Sequence, residues 1–299
     1  MSNKALLLPV WASVDLIGQQ SFPIIPFLVG AMVVTLDMSL VEAGWIISIE
    51  YSTLALFAIG LSPFMGIIPR RTLALCGACL VIIGNLLSAV SDPVTLSQFN
   101  VLATYRGLVG MGCGMALAAG NATVAGVKQP EKLYAKKMVL LAVYSLISLV
   151  VSPHISSAWG VRGLYIALTA LSILALIPLV RLPQRMSLTA DHVDTLSVHT
   201  FLTNKLYLFI CITMLVATFI YNIREAFTMT YIERIGSMKL GVSPETIGAI
   251  LGVGALMAMV ASMAAGRAAA NFGYKKSIFM GVLFSGFITI GLFHTENVN

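Results

Sequence analysis

The sequence predicts an all-α fold: a polytopic bundle of membrane-spanning helices. Three observations carry this expectation. Apolar residues make up 58% of the 299-residue chain and charged ones only 10%, against about 25% charged in an ordinary soluble domain. The mean hydropathy is +0.93. The apolar residues also fall in unbroken runs of about 20 or more, the helix length needed to cross a hydrocarbon core of roughly 30 Å. They show none of the two-residue alternation of a lipid-embedded barrel.

Nine runs qualify, at residues 6–34, 43–67, 72–91, 98–125, 137–158, 161–180, 205–232, 245–269 and 276–294. The opening MSNKALLLPVWASV has the look of a signal peptide. No small-residue cleavage site follows and the run continues to Thr35, so it reads as a retained first span. Pro9, Pro23 and Pro26 make that span the one expected to kink. The second span opens on Ser39 in an S-x-x-E capping box, and the eighth on Ser243 with Pro244 at the first helical position. The longest polar interval, RLPQRMSLTADHVDTLSVHTFLTNK, separates six spans from three. The expected organisation is a six-helix bundle over residues 1–180, a cytoplasmic linker over 181–204, and a partial second bundle of three helices over 205–299.

Orientation follows from the basic residues. Of 18 Lys and Arg, thirteen lie in loops on one side, three (Arg162, Arg234, Lys239) on the other, and Arg106 and Arg224 within spans. The positive-inside rule then places the amino terminus in the cytoplasm. Scattered in short loops without aromatic partners, these charges do not form a nucleic-acid surface. The four cysteines (Cys76, Cys79, Cys113, Cys211) all sit in apolar runs, where packing rather than metal or redox chemistry is expected. No metal cluster, nucleophile–base set or phosphate loop is legible, so neither a cofactor nor an enzyme is expected.

Shifted by 204 residues, SLVEAGWIISIEYSTLALFAIGLSPFMGIIPRR from Ser39 aligns with SPETIGAILGVGALMAMVASMAAGRAAANFGYK from Ser243. Each segment carries a glycine five residues after its serine (Gly44, Gly248) and ends in a basic turn, the pattern of parallel internal repeats in transporters. The layout resembles the major facilitator superfamily. Gly266, Gly273, Lys275 and Lys276 keep part of that family's G-x-x-x-D-x-x-G-R-[KR] turn, with Ala270 at the aspartate. Arg70 and Arg71 survive from the first copy, where Gly66 replaces the acid and Pro69 the glycine. Arg106, Gly110 and Gly112 match its R-x-x-x-G-x-G motif on helix 4, and WGVRGLYIAL is typical of helix 6. The glycine–proline motif of the family's antiporters is missing around Pro153. After the ninth span the chain reads HTENVN where the family has three further helices, and the expectation is a truncated product. The fold class is thus six helices plus an incomplete second half of three.

Charges near a bilayer centre are costly and mark function by default. Counted at about 1.5 Å per residue, Asp15 lies roughly 13 Å deep, Glu50 about 10 Å and Arg106 about 12 Å. Arg106 is expected to face a central cavity, pairing with Glu50 or Asp15 or binding an anionic group on the substrate. One of the two acids would then couple protons. Gln19, four residues from Asp15, shares its helix face. Tyr144, with Ser145 and Ser148, is placed beside the cavity by the resemblance. Gly110, Gly112 and Gly114 are expected to pack helices closely. The resemblance makes Arg70, Arg71, Gly266, Gly273, Lys275 and Lys276 a cytoplasmic latch, with enforcement of topology as the other reading. Arg224 is expected as a charge near the outer surface, and Asn85 and His154 are not expected to contribute. The function these readings imply is a secondary transporter of a small organic solute, coupled to protons, in a bacterial inner membrane. A non-transporting binder or inactive fragment is the alternative.

Overall fold

The computed structural model describes residues 4–90, 98–125, 130–184, 205–273, and beyond these 276, 279–281 and 283. Among the described residues every regular element is helical. The first span is built from α1 (Lys4–Gln19), a 3₁₀ turn (Phe22–Ile24) and α2 (Ile25–Thr35). The two segments meet at 41°. Proline is the cause, since Pro23 lies in the turn and Pro26 in the first turn of α2, where neither has an amide hydrogen to continue the ladder.

Next come α3 (Leu40–Leu61), α4 (Arg70–Val90), α5 (Gln98–Ala125) and α6 (Pro130–Leu179). The expected box forms at the start of α3: Ser39 Oγ accepts from the Glu42 amide at 3.2 Å, and the Glu42 carboxylate accepts from the Ser39 amide at 2.9 Å. Within α6, two helical segments abut at a kink at Gly160, whose φ of 61° and ψ of −155° are not helical. That backbone region is open only to glycine. The expected fifth and sixth spans therefore meet directly at Gly160, without a loop. The second half contributes α7 (Lys205–Leu240) and α8 (Pro244–Phe272), with Gly273 closing α8 in the left-handed region at φ 82°.

Among the described residues five helices are long and apolar enough to cross a membrane, or six with the bent first pair. The nine expected runs map unevenly onto these helices. The span Lys136–Leu179 counts once at 44 residues, yet about 66 Å of helix is two crossings of a 30 Å core. The seventh run forms α7, which continues past the expected end at 232 to Leu240. The ninth run lies almost wholly outside the described residues, as do most of the expected linker and Lys275.

The six-helix half has two apolar cores. One gathers Ile24, Phe27, Leu28, Ile46, Leu102 and Leu164 toward the end that carries Ser39 and Gly160. The other gathers Trp11, Val14, Ile17, Val81, Val109 and Leu179 toward the Arg70 end. Chain positions 20, 21, 50, 85 and 106 fall between these clusters. The buried polar side chains therefore form a layer across the middle of the bundle.

Candidate functional site: a buried polar layer

The layer is organised by Arg106, whose side chain is fully buried, as is that of Glu50 at 2% exposure. Arg106 Nη2 donates to Glu50 Oε2 at 2.6 Å and Nε to the same oxygen at 3.0 Å. Its Nη1 donates to Asn85 Oδ1 at 2.6 Å. Ser21 completes the set, accepting from Arg106 Nη2 at 3.3 Å and donating to Glu50 Oε1 at 2.8 Å. The guanidinium carbon also lies 5.0 Å from the Tyr165 ring centre. This arrangement offsets the desolvation of both ions with hydrogen bonds and a ring face.

The R-x-x-x-G motif explains how α5 reaches that pair. Arg106 and Gly110 are four apart and share a face. While Arg106 takes the Glu50 carboxylate, Gly110 lies against the Glu50 carbonyl and the Thr53 hydroxyl, leaving no room for a Cβ. Gly114 meets α3 in the same way at the Leu54 carbonyl, and Gly112 meets α4 at the Gly77 carbonyl. All three glycines sit at close helix approaches.

Asp15 is 3% exposed and has a different partner. Its Oδ1 pairs with Lys137 Nζ at 2.8 Å, and Lys137 also donates to Asn121 Oδ1 at 3.2 Å. Asp15 Oδ2, also buried, accepts no hydrogen bond among the described residues. Asp15, Lys137 and Tyr144 line a cavity of about 220 Å³ between α1 and α6. The Tyr144 hydroxyl donates to the Gln20 carbonyl at 2.6 Å, at the break in the first span. Gln20 Oε1 in turn accepts from Ser172 at 2.9 Å. Gln19 lines a separate, larger cavity with Ser145.

Several expectations need correcting. Arg106 does not line any of the cavities found among the described residues; it is sealed in the layer with Glu50. Lys137, assigned to a cytoplasmic loop, is 3% exposed and serves as Asp15's counter-ion. The helix begins at Pro130, which carries Lys137 about two turns inside it, and the four-carbon stem takes the ammonium on to Asp15. Asn85, set aside on a peripheral helix, points inward to Arg106. The signal for it was depth, because a lone amide in an apolar run at the level of Arg106 has few other uses.

At the Arg70 end, Arg71 Nε donates to the Leu182 carbonyl at 2.6 Å, and the Arg70 amide to the Gln184 carbonyl at 3.1 Å. The basic turn after α3 thus holds the chain leaving α6. Gly266 lies within α8, and Lys276 is exposed. Arg224 is in α7, and His154 is exposed.

Apolar helices long enough to span a bilayer, a proline-broken first span and an ion pair buried at mid-depth define an integral membrane protein of the transporter type. A family model described as the Major Facilitator Superfamily matches residues 13–298, and the chain belongs to that superfamily of secondary transporters. The chain is also similar to the crystal structure of a D-xylose–proton symporter, with a TM-score of 0.66 and 16% identity over 90% of this chain and 70% of that one. At that identity the likeness concerns the fold. No curated protein matches the chain.

Proposed function

We propose that the protein moves a small organic solute by alternating access, with Asp15 as the proton-coupling carboxylate and the Arg106–Glu50 pair as the hinge lock. Asp15 Oδ2 is the observation that carries this reading: a buried carboxylate oxygen without a hydrogen-bond donor, in a residue lining a cavity. A proton-coupling acid needs a route and an open lone pair. Glu50 has neither, with both oxygens engaged and 2% exposure.

Protonating Asp15 leaves the Lys137 charge without its counter-ion. Lys137 already holds Asn121, so the cation has a second partner on α5 while α1 loses its ionic tie to α6. The remaining polar ties of the first span, Tyr144 to the Gln20 carbonyl and Ser21 to Glu50, sit at the 41° break. The segment below that break is then the part freed to move. The positive-inside count supports a cytoplasmic amino terminus.

The test is a panel of organic solutes applied to liposomes that hold the purified protein and a pH-sensitive dye. A solute that shifts internal pH with wild type and not with Asp15→Asn supports the assignment. Equal shifts with Asp15→Asn move coupling elsewhere, and no shift with any solute overturns proton-coupled transport.

A further inference from the structure

We infer that the solute is uncharged and largely apolar, an aromatic or alicyclic compound with one or two hydrogen-bonding groups; this rests on the transporter reading above and names its substrate class. The observation is a cavity of about 530 Å³ between the broken first span, α6, α7 and α8. Small-molecule sites run to about 300–1,000 Å³ and are lined mainly by apolar groups with a few placed polar ones. This one fits that description. Phe22, Pro23, Leu141, Met229 and Leu251 form its walls, and its polar side chains are Gln19 and Ser145.

Among the described residues, no charged side chain lines it. Two described cations of the first half are paired elsewhere, Arg106 with Glu50 and Lys137 with Asp15. An ionic solute would lose its hydration and meet no counter-charge, which is prohibitive. A polyhydroxylated solute fares little better. Each unpaired hydroxyl costs about 1–3 kcal/mol on burial, and one amide and one hydroxyl cannot satisfy a sugar's set.

A second cavity of about 350 Å³ adjoins the other side of Phe22. Its walls include Trp45, Tyr51 and Tyr231, with Ser48 and Thr230 as further hydroxyls. Phe22 borders both cavities, and its ring lies 6.4 Å from that of Tyr51 in an edge-on arrangement. The aromatic surface thus extends the apolar one, and among the described residues no ionised side chain lines it. Flat rings gain most from such walls.

Gly254 supplies the variant that tests the site. It lines the larger cavity, and a Cβ built on it meets nothing within 4 Å. Gly254→Phe therefore fills the cavity without straining the helix, and replacing glycine also favours helix. The probes are 1-naphthol (neutral, one hydroxyl), 1-naphthoate (the anion of the same ring) and D-xylose. Binding is read on the purified protein in nanodiscs, with empty nanodiscs subtracted for partitioning into lipid. The expected result is saturable 1-naphthol binding that neither naphthoate nor xylose displaces. It weakens at least about tenfold in Gly254→Phe, with helical signal and thermal midpoint retained. Tighter binding of naphthoate or xylose, itself lost in Gly254→Phe, overturns the substrate class and leaves transport standing. Equal 1-naphthol binding in wild type and Gly254→Phe overturns the site. Cavity-dependent naphthol binding with no internal pH response in the dye-loaded liposomes supports the class and overturns proton-coupled transport.

Discussion

Gly44 on α3 meets Tyr231 on α7, whose phenolic oxygen would lie 2.5 Å from a Cβ on the glycine. Moving both residues by 204 positions gives Gly248 and Phe27. A Cβ on Gly248 would lie 3.4 Å from the tip of the Phe27 ring. Each half thus sets a glycine against an aromatic residue of the other, and the two contacts are images under the repeat. Gly30 on α2 faces the Glu233 carboxylate on α7 at the same end. These contacts close the Ser39 end of the interface between the halves.

The glycine contacts differ in what can yield. Beside Gly44 is only the free end of a tyrosine, whereas a Cβ on Gly248 would also lie 2.5 Å from the Leu149 carbonyl oxygen and 2.7 Å from Pro153. Gly248→Ala is expected to destabilise by about 1–3 kcal/mol and Gly44→Ala by less. Thermal unfolding in one detergent checks the order, and equal midpoints would contradict it.

Breaking the central pair is expected to be costly. Arg106→Met leaves Glu50 charged and buried, at about 3–5 kcal/mol. The double change Arg106→Met with Glu50→Leu is expected to cost less than the two singles added together, because it removes the unpaired ion. Asn85→Leu, which strips one acceptor from Arg106, is expected to cost about 1–3 kcal/mol. Denaturation of wild type and the four variants side by side measures all these differences.

Gly160→Ala is expected to cost about 1–3 kcal/mol, since its backbone region is closed to other residues. A Cβ there would also press within 2.6 Å of Thr35. The readout is a lower thermal midpoint, while Gly254→Ala, at an open helical position, is expected to leave the midpoint unchanged or raise it.

Tyr144→Phe removes the donor from the Gln20 carbonyl together with a hydrogen bond to Ser148. The expected loss is about 1 kcal/mol, felt as a shift between access states rather than as unfolding. Alkylation of Ser145→Cys in the larger cavity reports it: the rate changes when Tyr144→Phe is added and the unfolding midpoint stays close.

Much of the frame was legible. Prolines located the break in the first span, a serine box located the start of α3, and depth counting put Glu50 and Arg106 at one level. Lys137 escaped because the fifth span was started at residue 137, whereas α6 begins at Pro130 and carries that lysine about two turns inside. Asp15 was legible as a buried acid but not as the partner of Lys137. The two aromatic and apolar cavities were beyond reach, since Trp45, Phe22 and Tyr231 share a wall only once helices from both halves have been rotated against each other. The Gly160 junction was hidden for a similar reason: one residue's dihedrals replaced an expected loop.

The Tyr144 hydroxyl on the Gln20 carbonyl has a consequence for permeability. A kinked helix normally exposes a bare carbonyl that attracts water, and a file of water molecules conducts protons without any solute. Here a phenol stoppers that position. The bend is present, yet its freed backbone oxygen gives a leak nothing to start from.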